Sequence, residues 1–324
     1  MSPSASTSPS PPVGSAERPA PGRTRRSGVP DPAARPAGRL AELPARVALV
    51  VVWSSGFLSG TLGLRYAAPY TFAALRFALA GLALLAVAAI RRQRLPRGRR
   101  LLHLAVAGVL VQAVQFSSIY VGMDLGVPSG LAALIIALYP LTASLLAVPL
   151  LHERVSAGQL LGLVLGLGGV ALAVAEGIRL SLDCLPGLCF LALGLLGISA
   201  GTVYQKRFCG QMEPVSGNAV QLLAASLVVL VPALLAEGWD VHFTAAYWPV
   251  LLWSALVNSV IGVGLLYRLL QRHGTSQVSS LFQLVPMCTA ALGALLLGQR
   301  LGPLTLAGLA LATAGTLLTH RVRR

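Results

Sequence analysis

The chain has 324 residues, of which 55% are hydrophobic and only 11% charged, about half the charged fraction usual in a soluble domain. That balance excludes an ordinary cytosolic enzyme. The formal net charge of +15 would suit nucleic acid, but nearly all of it is arginine in short clusters between apolar runs, where it faces a membrane surface.

Residues 1–44 are rich in Pro, Ser, Ala and Arg, too polar to offset the entropy lost on ordering, and are expected to form a disordered cytoplasmic tail. The tail lacks the apolar core of a secretory signal, and its prolines with Glu17, Asp31 and Glu42 speak against an amphipathic transit peptide. Ten apolar runs follow, at 47–64, 67–90, 101–123, 127–151, 157–175, 187–205, 214–236, 248–270, 275–297 and 304–319. Each is close to the ~20 residues that cross ~30 Å of hydrocarbon as a helix. Backbone amides in lipid must be satisfied within their own segment, so runs this long should be helices and not barrel strands. The expected fold class is therefore an all-α integral membrane protein of ten transmembrane helices. The connectors leave no room for a soluble domain.

Lysine and arginine set the orientation, because short basic loops stay in the cytoplasm. With the N-terminus inside, the inner segments carry Arg46, Arg91, Arg92, Arg94, Arg97, Arg99, Arg100, Arg154, Lys206, Arg207, Arg272, Arg321, Arg323 and Arg324, and the outer ones only Arg65, Arg179 and Arg300. Both termini are thus expected in the cytoplasm, with Trp239 and Trp248 near the outer interface.

Sliding the chain on itself by 146 residues aligns Pro140 with Pro286, Arg154 with Arg300, Gly162 with Gly308 and Gly169 with Gly315, and a shift of 145 places Gly56 on Gly201, Pro69 on Pro214 and Arg76 on Gln221. The chain reads as two five-helix repeats, 45–177 and 186–320. Five is odd, so the second repeat crosses the membrane in the opposite sense to the first. Inverted repeats of this kind exchange conformations around a central site, which implies transport by alternating access.

The residues Trp53-Ser54-Ser55-Gly56-Phe57, Ala74-Leu75-Arg76-Phe77, Pro140, and Glu153-Arg154 followed by Gln159-Leu160-Leu161-Gly162 and Gly169 resemble the EamA-like transporters of the drug/metabolite transporter superfamily. The resemblance covers both repeats, about 275 residues. It implies a ten-helix bundle with cytoplasmic termini that exports or imports small metabolites, often amino acids or related compounds. Their path would be a cavity lined by the first four helices of each half. One departure is Gln299, where the family often repeats the glutamate of Glu153.

Arg76 is the one charge well inside a span; it is either an anion-binding group for a substrate carboxylate or a structural arginine bonded to neighbouring helices. Glu153 follows the fourth span and could take a proton or cap the fifth helix. Pro140 and Pro286 each remove a backbone donor, marking candidate kinks or hinges beside the cavity. Neutral polar groups gather in particular helices. The substrate-binding candidates among them are Ser55, Gln112, Gln115, Tyr120, Tyr139, Gln221, Asn258 and Gln283, the amides being hardest to satisfy locally. The glycine-rich fifth and tenth spans should pack closely, against neighbours or against a second subunit in a homodimer.

Cys184, Cys189, Cys209 and Cys288 form neither a CxxC pair nor a zinc spacing, so no metal and no cofactor is expected. A membrane enzyme would need clustered carboxylates or histidines, which this chain lacks. A polar-lined channel is the nearer alternative. The sequence thus points to a secondary transporter in a bacterial inner membrane. Its partners would be a small-molecule substrate and the lipid bilayer, with no nucleic acid.

Overall fold

Leucine- and alanine-rich runs with proline confined mostly to first turns can satisfy their own amides only by coiling, and helices are what the computed structural model contains. It describes residues 43–151, 157–180, 184–210, 212–282, 284–299 and 302–322. The helices are α1 (Leu43–Gly63), α2 (Pro69–Ile90), α3 (Arg99–Gly108), α4 (Gln115–Asp124), α5 (Ser129–Ile136), α6 (Tyr139–Leu151), α7 (Ala157–Leu180), α8 (Leu185–Phe208), α9 (Pro214–Leu235), α10 (Tyr247–Leu252), α11 (Gly262–Phe282), α12 (Val285–Leu297) and α13 (Pro303–Val322). Two π-helical segments, π1 (Val109–Val114) and π2 (Trp253–Ile261), join α3 to α4 and α10 to α11. Among the described residues the one β feature is an isolated bridge between Ala67 and Val241.

Among the described residues, seven stretches are long and apolar enough to cross a membrane: Leu43–Gly63, Pro69–Ile90, Arg99–Asp124, Ser129–Pro149, Leu185–Phe208, Pro214–Leu235 and Tyr247–Leu266. Shorter apolar stretches, Leu160–Ala173, Val285–Leu297 and Pro303–Gly315, fall where the fifth, ninth and tenth spans were expected. Large apolar side chains such as Leu227, Leu235, Leu295 and Leu296 are exposed on the outside of the bundle, as a lipid-facing surface requires.

The two halves carry the same irregularities in register. A shift of 146 maps π1 into π2, Ile136 at the end of α5 onto Phe282 at the end of α11, and Tyr139 at the start of α6 onto Val285 at the start of α12. The sequence placed kinks at Pro140 and Pro286. The structure instead breaks the helix just before each proline, which then sits in the first turn of the next piece, where its missing N–H costs nothing.

Helical assignment also runs unbroken through the connection expected between 270 and 275, yet α11 is not straight. A Cβ on Gly262, at its start, would lie 3.8 Å from the Trp53 ring, and Phe282, at its end, meets that ring edge-on with centroids 4.9 Å apart. A straight helix would hold those two residues about 30 Å apart. The chain doubles back between Leu269 and Val278, which share one apolar cluster with Leu49.

Equivalent helices pack on each other: α7 on α13 and α2 on α9. In the first pair Gly169 meets Gly308 and Gly162 meets Gly315, so the helices run antiparallel and the contact is reciprocal, as an approximate two-fold relation demands. The glycine faces of these helices are spent on each other. In the second pair Ser226 of α9 donates to the Ala74 carbonyl at 3.0 Å.

Candidate functional site

Between the halves lies a cavity of about 420 Å³, within the range of small-molecule sites. Its wall draws on α1 (Trp53, Gly56, Phe57), α2 (Arg76), π1 and α4 (Gln112, Gln115, Phe116, Tyr120), and α6 (Tyr139, Pro140, Ser144). The second half adds Asn218 of α9, Asn258 and Ser259 of π2, Phe282 of α11, and Val285 and Pro286 of α12. Both helix breaks therefore reach the wall, as do both π segments, a placement typical of functional irregularities in helices.

Arg76 is only 3% exposed, so it faces the bundle interior and does not snorkel to an interface. One terminal nitrogen donates to the Tyr120 hydroxyl, and Nε and the other terminal nitrogen lie 3.4 and 3.3 Å from Ser259 Oγ. Ser259 gives its own proton to the Ser254 carbonyl at 3.2 Å, five residues back in π2, which leaves its lone pairs for the guanidinium. Phe116 lies under the guanidinium at 4.5 Å, a favourable cation–π distance. Arg76 thereby ties α2 and α4 of one half to π2 of the other. No carboxylate pairs with it among the described residues.

A second polar group centres on Asn258. Its amide oxygen lies 3.1 Å from Ser55 Oγ and its amide nitrogen donates to Ser59 Oγ at 3.2 Å, while Gly56, beside both, leaves room for the side chain. Trp253 Nε1 donates to Ser55 at 3.0 Å. Asn218 Nδ2 is buried with no hydrogen-bond partner.

One face of the bundle is clasped. Glu237, in the connection after α9, accepts from the Tyr70 and Thr71 backbone N–H groups at 2.8 and 2.7 Å and from the Thr71 hydroxyl at 2.8 Å. It fills the orphan donors at the N-terminus of α2, where the helix dipole favours a negative charge. Gly238 and Trp239 turn the chain with φ of 63° and 60°, a conformation unusual for tryptophan. The chain then pairs with the first half: Ala68 N donates to Asp240 O at 3.0 Å and His242 N to Tyr66 O at 2.6 Å. Ser129 adds a bond to Gln299 Oε1 at 2.9 Å. Beneath the clasp, fully buried Phe72, Tyr120 and Tyr247 pack together. None of the described cavity-lining residues comes from the 64–68 or 236–246 connections, and the wall extends from Tyr120 away from this face to Ser144, Leu266 and Val278.

Of the residues singled out in the sequence, Arg76, Gln112, Gln115, Tyr120, Tyr139, Asn258, Pro140 and Pro286 line the cavity. Ser55 stands one shell behind, bonded to Asn258. Gln221 lies elsewhere: its amide nitrogen is 3.4 Å from Gln205 Oε1, and its backbone packs against Gly108. Glu153 and Gln283 lie outside the described residues. Sequence reasoning did not single out Phe116 or Glu237. Phe116 sits four residues after Gln112 and four before Tyr120, a helical spacing that could have found it; nothing local marks Glu237 as a cap for a helix about 170 residues away.

Among the described residues, a helical bundle with an apolar exterior and a largely apolar cavity carrying a few polar groups fits a multi-pass membrane protein. The model of the EamA-like transporter family matches residues 43–175 and again 185–321, and the chain belongs to that family. It is 28% identical over 290 residues, 85% of this chain and 94% of the other, to a Salmonella typhimurium protein named "Probable amino-acid metabolite efflux pump". It is 27% identical over 256 residues, 78% of this chain and 82% of the other, to the Escherichia coli "Uncharacterized inner membrane transporter YedA". A Streptantibioticus cattleyicolor "Probable terminal-alkyne amino-acid exporter" is 28% identical over 288 residues, 86% of this chain and 92% of the other. A solved protein structure superposes with a TM-score of 0.61 at 18% identity, covering 88% of this chain and 99% of that one, which is a likeness of fold.

Proposed function

We propose that the chain is a secondary transporter that exports small metabolites, such as amino acids or related compounds, by alternating access. In this reading ten helices cross a bacterial inner membrane as two inverted repeats, 45–177 and 186–320, with both termini cytoplasmic. The observation that carries it is a cavity walled by matching elements of both halves, π1 with π2 and the break before Pro140 with that before Pro286, with none of its described lining from the clasped connections. The antiparallel α7/α13 contact supports inversion. The arginine asymmetry favours a periplasmic clasped face, in which case the cavity extends toward the cytoplasm, the loading side for an exporter. The names of the relatives point to amino-acid-related cargo.

Cycling would require the clasp to release and the cytoplasmic ends to close, with the two halves rocking about Arg76 and the glycine seam. The test is counterflow in vesicles reconstituted with the full chain: cells with and without the protein are compared for secreted metabolites, and the leading one is loaded as label. Saturable, counterflow-stimulated uptake is expected. Linear flux without counterflow would mean a channel and would end the alternating-access reading.

A further inference from the structure

Arg76 carries five N–H donors, and the neighbours it reaches, Tyr120 and Ser259, are neutral hydroxyls that take three of them. The remaining donors and the whole positive charge stand at the wall of the cavity. Among the described lining residues Arg76 is the only charged one: no Asp, Glu, Lys or His joins it. A cation buried in this way is stabilised by hydroxyls and a ring face but is not neutralised. Asn218, whose Nδ2 is buried without a hydrogen-bond partner, lines the same cavity but is neutral. Arg76 thus offers donors that lack an anion. No anion is on offer to a cation. The rest of the wall is largely aromatic and aliphatic, with Trp53, Phe57, Phe116 and Phe282.

We infer that the site sorts its cargo by charge, taking apolar monoanions, a carboxylate on an aromatic or aliphatic body, in preference to cations and zwitterions. This inference rests on the transporter reading for where the cargo goes, not for what binds. The carboxylate completes the guanidinium in a charge-assisted pair, while the body fills the apolar wall. A free ammonium finds only amides, hydroxyls and ring faces, beside a like charge. An amino-acid derivative whose amine is absent or acylated suits the cavity better than the amino acid itself.

Four probes of nearly one shape separate the charges: 3-phenylpropionate, 3-phenylpropionamide, L-phenylalanine and phenethylamine. Binding of each to the purified full chain is measured by calorimetry at neutral pH. The expected result is 3-phenylpropionate tightest, by about ten-fold over its amide and more over phenethylamine, with L-phenylalanine between. In Arg76→Gln the ratio of acid to amide falls to about one, whereas in Arg76→Lys a preference for the acid survives in weaker form. If Arg76→Gln does not fold, the wild-type series and the lysine variant decide. Phenethylamine or L-phenylalanine binding as tightly as the acid, or no probe binding at all, overturns the inference. Counterflow with the same probes distinguishes the two readings. The expected binding order without any counterflow would sink the transporter and leave the charge rule standing; counterflow with the order reversed would do the opposite.

Discussion

The Ser54 hydroxyl of α1 donates to the Val285 carbonyl at the start of α12, across 3.3 Å. Its counterpart in the other half, Ser199 of α8, reaches the Tyr139 carbonyl at the start of α6, across 3.5 Å. Each half therefore uses its first helix to add a hydrogen bond at the helix break of the other. Losing one such bond costs about 0.5–1.5 kcal/mol. Ser54→Ala and Ser199→Ala should each lower the melting temperature of the purified protein. The two sites share no partner, so the double variant should show the sum within about 0.5 kcal/mol. Chemical denaturation or a thermal scan in detergent checks this.

The α7/α13 seam permits no side chain at its crossing. A Cβ on Gly169 would collide with the Gly308 carbonyl and with Ala312, and one on Gly315 would meet the Gly162 carbonyl at 2.8 Å. Gly169→Leu should remove most folded, monodisperse protein from detergent extracts, since overpacking of this kind costs about 1–3 kcal/mol or more. Gly264→Ala is the control, with nothing within 4 Å of its added carbon. Equal yields of the two variants would contradict the packing.

Glu237 holds the clasp with three accepted bonds from the first turn of α2, two of them from backbone N–H groups. Glu237→Ala removes a cap worth about 1–2 kcal/mol and should shift the population toward the state open on that face. A cysteine placed at Tyr66, whose carbonyl accepts from His242 N within the clasp, should then react faster with a membrane-impermeant maleimide from the outer side. An unchanged rate would mean that the clasp does not gate.

Tyr120 accepts from Arg76 and packs on Phe72 beneath the clasp. Tyr120→Phe keeps the ring and removes the acceptor, so its effect reports the hydroxyl alone. Transport at saturating cargo is expected to fall several-fold while thermal stability drops by only about 1 kcal/mol. A large loss of stability with unchanged flux would make Arg76 a structural residue.

Much of this was legible in the sequence because lipid enforces simple rules. Apolar length gave the helices, and the matches Gly162 with Gly308 and Gly169 with Gly315 foretold a tight seam, though not that the two pairs meet each other crosswise. Arg76 was conspicuous because a charge among leucines has few places to go. What stayed hidden depends on contacts between distant segments. Gln221 looked equivalent to Arg76 by register, but it faces Gln205 and Gly108, since the approximate symmetry of the backbone does not bind the side chains to one use. The breaks before Pro140 and Pro286 read as kinks, because proline in the first turn of a new helix and proline inside a bent one leave the same trace in a sequence. The connection expected between 270 and 275 falls within α11, and Leu269 and Val278 on either side of it share one apolar cluster.

One experiment bears on the whole account. With the four cysteines Cys184, Cys189, Cys209 and Cys288 replaced, a single Gln112→Cys on the cavity wall is probed in oriented vesicles with an impermeant maleimide. The account predicts labelling from the cytoplasmic side in the otherwise native background, and labelling from the periplasmic side once Glu237→Ala opens the clasp. Simultaneous labelling from both sides without that change, or from neither side in both backgrounds, would contradict it.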